Sequence, residues 1–185
     1  MILIISTCNE KLHELEFVKP IENIIKNNKL KYKSVNYKKL LKNEIDKADK
    51  IIITGTSLKD NDFIYKNNIK KFEFIKYFNK PILGICAGMH LIGLVYQGKL
   101  ENIKQIGPID IEFTDNFLGI EKNSKHQVYS LHGLCIDFTK INVFNVLSYV
   151  SCPQAIKHNS KEIYGVLFHP EVKNKKIIEY FLKFL

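Results

Sequence analysis

The sequence predicts an α/β fold, in which a mostly parallel central sheet has helices on both faces and additional antiparallel strands. Two observations lead to this prediction. In the first half of the chain, short apolar runs alternate with segments whose apolar residues recur at helical spacing. Strands that alternate with helices form βαβ units with right-handed crossovers. In the second half, short or strictly alternating apolar segments are typical of hairpins.

The first half begins with an apolar run over residues 2–6, which is typical of a strand covered on both faces. The next predicted element is a helix over 16–28, whose first turn accommodates Pro20. The remaining elements of this half are strands over 30–37 and 50–54, a helix carrying Ile69, Phe72, Ile75 and Phe78, and a strand leading into Cys86.

The second half contains a segment, residues 109–113, in which apolar and charged residues alternate strictly. Its other predicted elements are short strands over 118–120, 127–131 and 143–150, a core strand over 163–168, and an amphipathic helix carrying Ile177, Ile178, Phe181, Leu182 and Leu185. No repeat or linker divides the chain. We therefore expect a single domain over residues 1–185.

The composition indicates an ordinary globular protein, with 185 residues, 45% hydrophobic content and a formal net charge of +9. The lysines are spread along the chain, which favours a solvated surface and no nucleic-acid partner, although steering of an acidic partner stays an alternative. No apolar run approaches the ~18 residues of a membrane helix, and the N-terminal residues lack the pattern of a signal peptide. We expect a cytoplasmic protein without a membrane partner.

The four cysteines, Cys8, Cys86, Cys135 and Cys152, are widely separated and form no C-x-x-C pair. This spacing predicts neither a metal site nor a disulfide scaffold. Cys86 is distinctive because it lies in the pattern Gly84-x-Cys86-x-Gly88, between an apolar run and a helical segment. The pattern is typical of a nucleophile elbow, in which glycines make room where strand, turn and helix meet. A helix N-terminus at Cys86 would favour the thiolate and offer N–H groups to an oxyanion.

His169 and Glu171 form the second part of the predicted site, in the segment Phe168-His169-Pro170-Glu171. Because Pro170 cannot donate to a sheet, we expect the preceding strand to end near Phe168 and to leave His169 at the edge where Cys86 lies. In an extended chain, His169 and Glu171 point to the same side, so the carboxylate orients the imidazole. The three residues then act as nucleophile, base and orienter.

These two motifs, residues 81–90 and 168–171, resemble the triad-type, class I glutamine amidotransferases. The likeness extends from the first strand to the closing helix, and residues 153–158 and 164–166 resemble the separate glutaminase subunits of GMP synthetases. The resemblance implies a three-layer, flavodoxin-like fold and no metal or organic cofactor. It also implies that Cys86 attacks the side-chain amide of glutamine and that His169 passes the proton to the departing ammonia.

The resemblance also implies an oxyanion site and a substrate site. The oxyanion donors would be backbone N–H groups of Gly55 or Thr56 together with that of Ala87, although the family usually has two glycines in this loop and this chain has only Gly55. The predicted substrate contacts are Gly84, His90, Ser130, Leu131 and His132. His90 stands where the family usually has Gln, and Leu134 stands where an acidic residue is usual.

The function implied is that of a glutaminase subunit, which hydrolyses glutamine and delivers ammonia to a separate synthetase, with GMP synthetase as the nearest analogy. The chain carries no P-loop pattern of its own. The altered positions keep two alternatives open. One is a partner-independent hydrolase of γ-glutamyl conjugates or peptides, and the other is an inactive binding or regulatory module.

Overall fold

A computed structural model describes residues 1–184. Its strands are β1 (Ile2–Ser6), β2 (Tyr32–Asn36), β3 (Lys50–Ile53), β4 (Ile82–Ile85), β5 (Lys99–Glu101), β6 (Gln105–Glu112), β7 (Lys125–His132), β8 (Cys135–Asp137), β9 (Phe144–Val150), β10 (Cys152–His158) and β11 (Ile163–Val166). Its α-helices are α1 (Glu14–Phe17), α2 (Lys19–Asn27), α3 (Lys42–Asp46), α4 (Lys66–Ile69), α5 (Ala87–Val95) and α6 (Lys176–Phe184). Leu185, which we expected in the closing helix, lies outside the described residues.

The central sheet has the strand order β2-β1-β3-β4-β11-β10-β9. The strands from β2 to β11 in this order run parallel, whereas β10 and β9 are antiparallel to their neighbours. Two small ribbons, β5 with β8 and β6 with β7, add further antiparallel strands. The predicted fold class is confirmed. In the described part of the chain, no helix has the length and apolar character needed to cross a membrane.

The hydrophobic core lies on both faces of this sheet. Strand β1 shows why: Ile2 and Ile4 pack into the layer that contains Phe181, whereas Leu3 and Ile5 pack into the layer that contains Phe72. Successive side chains of a strand point to opposite faces, so an apolar run without alternation is what a sheet covered on both sides requires.

Two predicted helices differ from the observed ones. The helix expected over 16–28 is divided into α1 and α2, and Pro20 lies in the first turn of α2. The helix expected around Ile69 to Phe78 is α4 followed by a 3₁₀ helix over Lys70–Lys76. The four residues that predicted it, Ile69, Phe72, Ile75 and Phe78, recur every three positions, which matches the three residues per turn of a 3₁₀ helix.

The strand expected over 118–120 is wrong. Leu118 has a φ of 43° and Gly119 a φ of 78°, so the chain turns there. Phe117 and Ile120 close this turn by exchanging backbone hydrogen bonds of 2.9 and 2.8 Å. The short apolar run was too weak a signal to distinguish a strand from a turn with buried side chains.

Gly88 fixes the contact between α5 and β3. A Cβ atom at this position would lie 2.3 Å from the carbonyl oxygen of Ile53, and backbone cannot withdraw as a flexible side chain can. We expect Gly88→Ala to lower the free energy of unfolding by about 1–3 kcal/mol, the usual cost of overpacking. Urea unfolding measures this. Gly133→Ala, with open space around the added Cβ, is the matched control, and equal midpoints for the two variants would contradict the prediction.

Candidate active site

Cys86 occupies the turn between β4 and α5, as predicted. Its φ of 49° and ψ of −102° are unusual for a residue with a side chain. The turn is held by two backbone hydrogen bonds, from the Cys86 N–H to the Val166 carbonyl (2.8 Å) and from the His90 N–H to the Cys86 carbonyl (3.0 Å). Although Cys86 is only 4% exposed, it lines a pocket of about 220 Å³. Its Sγ lies 3.6 Å from the carbonyl oxygen of Leu131.

His169 and Glu171 are buried and form a close pair, in which His169 Nδ1–H donates to Glu171 Oε1 at 2.7 Å. Burial alone would lower the pKa of His169, but the negative charges of Glu171 and Cys86 outweigh it and raise this pKa well above the usual value. The pair therefore favours an imidazolium next to the sulfur. Within residues 1–184, His169 Nε2 has no hydrogen-bond partner.

The local reason that we gave for the His169–Glu171 contact is wrong. The chain is not extended there, because a turn brings the Val172 N–H to the His169 carbonyl at 3.1 Å. The turn, rather than strand alternation, carries the carboxylate to the ring. The ring of Phe17 packs against His169 at 5.4 Å between centroids.

The predicted oxyanion residues lie beside this group. Thr56 and Ala87 line the pocket with Cys86, whereas Gly55 does not. A Cβ atom on Gly55 would lie 2.6 Å from His169 Cε1 and 3.3 Å from Cys86 Cβ, so the absent side chain leaves room for both. In the described part of the chain, the N–H groups of Thr56 and Ala87 donate no hydrogen bond. Both remain available to a ligand in the pocket.

Three of the five predicted substrate residues, His90, Leu131 and His132, line the same pocket. Gly84 and Ser130 do not, which corrects our placement of them. Gly84 lies within β4, where an added Cβ would meet the backbone of Gly88 at 2.6 Å, so this glycine serves the packing of β4 on α5. Ser130 is fully buried in β7, and the pocket wall begins one residue later.

His90 is buried, which excludes an exposed helix position. Burial is the main reason that its pKa falls to about 4, so the ring is neutral at physiological pH. Its Nε2–H donates to the Leu134 carbonyl at 2.9 Å, and its ring stacks on Phe63 at 6.2 Å. This tautomer leaves Nδ1 as an acceptor that has no partner within residues 1–184.

Several residues of the pocket wall were not found from the sequence, and they come from segments without a periodic pattern. They are Ser57, Leu58, Asn61, Phe63, Asn102 and Gly133, whereas Leu134, noted above at the position where an acidic residue is usual, lines the pocket as well. Asn61 and Phe63 belong to the connection after β3, and Asn102 follows the three-residue strand β5. No spacing in the sequence distinguishes them from ordinary loop residues.

Comparison with known proteins finds relatives of this chain in sequence and in fold. A subunit of the glutamine-hydrolyzing GMP synthase of Methanobrevibacter smithii is 33% identical over 110 residues, which cover 54% of this chain and 55% of that protein. The corresponding GMP synthase subunit of Methanococcus maripaludis is 35% identical over 112 residues, covering 56% and 57%. The matched part thus spans little more than half the length of either curated relative.

A solved structure from Thermoplasma acidophilum, assigned as a GMP synthase subunit, shares the fold with a TM-score of 0.79 and 18% identity. The alignment covers 99% of this chain and 94% of that one. A family model described as glutamine amidotransferase class-I matches residues 13–184. Since this match takes in both halves of the candidate site and nearly the whole sequence, the chain belongs to the class-I glutamine amidotransferase family.

Proposed function

We propose that the chain is a glutaminase subunit that hydrolyses glutamine through Cys86, His169 and Glu171 and passes the ammonia to a separate synthetase. The observation that carries this proposal is the buried His169–Glu171 pair placed next to a cysteine at a strained turn in a pocket. Such an arrangement is what a cysteine nucleophile with an oriented base requires.

In the proposed reaction, the Cys86 sulfur attacks the side-chain amide carbon of glutamine and forms a tetrahedral oxyanion. The N–H groups of Thr56 and Ala87 receive this charge. His169 gives a proton to the amide nitrogen, the C–N bond breaks, and ammonia leaves a γ-glutamyl thioester on Cys86. Water then attacks the thioester, His169 takes its proton, and glutamate is released with the thiolate restored.

The partner that we propose is a GMP synthase-like synthetase subunit. This proposal is supported by the two relatives that are named as individual subunits of a GMP synthase. Copurification of a synthetase with the native chain tests it, and its absence from gently prepared extracts would count against it. No nucleic-acid or membrane partner is proposed, and the proposed location is the cytoplasm.

His90 favours a second candidate function, hydrolysis of γ-glutamyl conjugates without a partner. The neutral ring keeps one buried nitrogen, Nδ1, without a partner among residues 1–184, and its Nε2–H is already used by the Leu134 carbonyl, whereas the Gln usual at this position has both a donor and an acceptor. A substrate with a different amino-acid end would suit such a wall.

Ammonia release from glutamine and anilide release from γ-glutamyl-anilide, measured on the isolated chain, distinguish these functions. Turnover of glutamine, with the anilide a poor substrate, supports the glutaminase. Turnover of the anilide with glutamine inert at millimolar concentration supports the hydrolase. A folded chain that turns over neither substrate, alone or with the synthetase, would leave the inactive binding module as the function.

A further inference from the structure

The carboxylate of Asp60 joins the connection after β3, which lines the pocket, to the connection after β1. Its Oδ2 accepts three hydrogen bonds, from Thr56 Oγ1 at 2.8 Å, the Asn9 N–H at 3.0 Å and His13 Nδ1–H at 2.7 Å. Its own N–H donates to the Ser57 carbonyl at 2.9 Å. Asp60 and Thr56 are both buried, so the contact between them is shielded from water, whereas the His13 side chain is partly exposed. The connection after β3 is thereby fastened to the connection after β1.

A second set of contacts fastens the same two connections on the other side of Gly55. The single hydroxyl proton of Thr7 is shared between the carbonyl oxygens of Thr54 (3.0 Å) and Gly55 (3.1 Å). The peptide that carries the Thr56 N–H is therefore held at both ends by groups outside the pocket, and this N–H has no acceptor among the described residues. A donor that is fixed before the substrate arrives costs no reorganisation when charge develops.

We propose that Asp60 is a positioning residue that holds the Thr56 N–H for the oxyanion, and that His13 strengthens this hold when it is protonated. The proposal rests on the proposed glutaminase function. It assigns the role to a carboxylate outside the pocket, which acts on the reaction only through Thr56.

The charges around this pair make the hold depend on pH. The hydrogen bond to Asp60 is the main reason that the pKa of His13 is raised, and Glu10 and Glu16 raise it further. Burial would raise the pKa of Asp60, but His13, Asn9 and Thr56 lower it overall. The other titratable groups that sense Asp60 are Cys8 and Tyr37.

Because the pKa of His13 is raised in the folded protein, His13 is fully protonated, and the ion pair with Asp60 is complete, below the ordinary pKa of histidine. The pair is lost as the pH rises through the raised value. Because the pKa of Asp60 is lowered, its carboxylate stays ionised over this pH range, and only the protonation state of His13 changes.

The test compares Asp60→Asn with Asp62→Asn, whose carboxylate is half-exposed and pairs with Lys38 at the surface. We expect Asp60→Asn to lower kcat for glutamine by about 10–100-fold, the effect of a displaced donor, with little change in KM. Asp62→Asn keeps the wild-type kcat. The rate of Cys86 alkylation by iodoacetamide should stay within about twofold in both variants, because this displacement forms no oxyanion.

A second pair of variants tests whether Asp60 acts through Thr56. Thr56→Val keeps the N–H and the branched shape but loses the hydroxyl, and should lower kcat as Asp60→Asn does. Thr56→Ser keeps the hydroxyl and should restore kcat to within about threefold of wild type. If the two residues act through one contact, the double variant Thr56→Val with Asp60→Asn is no worse than the more damaging single one.

The pH readout uses His13→Asn, which keeps a neutral donor near Asp60. At low pH, the kcat of the wild type should exceed that of the variant by a factor of about two to five, which corresponds to the free energy of an exposed ion pair. This ratio should fall to one as His13 deprotonates. A ratio that does not change with pH overturns the role of His13.

Two results overturn the role of Asp60. One is a wild-type kcat in Asp60→Asn, and the other is an equal loss in kcat and in the rate of Cys86 alkylation. If the wild type is inert towards glutamine, the proposed function fails, and γ-glutamyl-anilide, which forms the same oxyanion, tests Asp60 separately.

Discussion

Cys86→Ser is expected to lower kcat for glutamine by about 10⁴–10⁶-fold, the usual effect of removing a nucleophile that works as a unit with its base. A serine hydroxyl is in general a much weaker acid and nucleophile than a cysteine thiol, and the variant also loses the sulfur that helps to raise the pKa of His169. The strained backbone at position 86 is the same in both proteins, which keeps the fold comparable. Ammonia release measures the loss, and Cys135→Ser, at a buried thiol of β8, is the control that keeps the wild-type rate.

The same variant has a covalent readout. In the wild type, brief exposure to 6-diazo-5-oxo-norleucine should label Cys86 far faster than Cys8, Cys135 or Cys152, as mass spectrometry of the peptides would show. Cys86→Ser should remove the label, and excess glutamine should slow it. Labelling spread evenly over the four thiols would contradict the catalytic role. Selective labelling that glutamine does not slow would instead indicate a nucleophile for a different substrate.

Gly55→Ala is expected to lower kcat by about 10²–10³-fold while the chain stays folded. The added methyl group would lie 2.6 Å from His169 Cε1, a distance at which one of the two must move. His169 is buried and tied to Glu171, so its displacement breaks the alignment with Cys86. Small misplacements of catalytic groups have effects of this size.

Ammonia release and urea unfolding, measured on the same preparation of Gly55→Ala, separate the two causes of a loss. We expect the kcat to fall much more than the unfolding midpoint. A variant with the wild-type kcat would show that the space beside His169 is not needed. A variant that loses stability and activity together would assign Gly55 a packing role, like that of Gly88.

The parts of the site that could be predicted from the sequence are those that a few neighbouring residues determine. The elbow at Cys86 is one, because the glycine spacing, the apolar run and the helix are all local. The contact between His169 and Glu171 was predicted correctly as a contact but for the wrong local reason, since a turn rather than an extended chain forms it. A short motif indicates which groups meet more reliably than the backbone path that joins them.

The remainder of the site depends on where remote segments lie, and no local pattern carries that information. Phe63 and Asn102 reach the pocket from a 3₁₀ turn and from the end of a three-residue strand. Asp60 and His13 lie in separate connections, and only the parallel pairing of β1 with β3 brings these together. The placements of Gly84 and Ser130 were wrong for a related reason, because a residue type at the right spacing does not show which side of an element faces the pocket.

The position of β11 between β4 and β10 has a consequence for when the proposed catalytic site forms. Strand β4, which ends at Cys86, pairs with β11, which leads to His169, although most of the second half of the chain separates them. Contacts between such distant segments form late in folding, since the intervening loop must close first. Until β11 pairs with β4, we expect β4 to be an open edge of the sheet and Cys86 to have no imidazole beside it. We therefore expect the proposed group of Cys86, His169 and Glu171 to form only when the last strand of the sheet is in place.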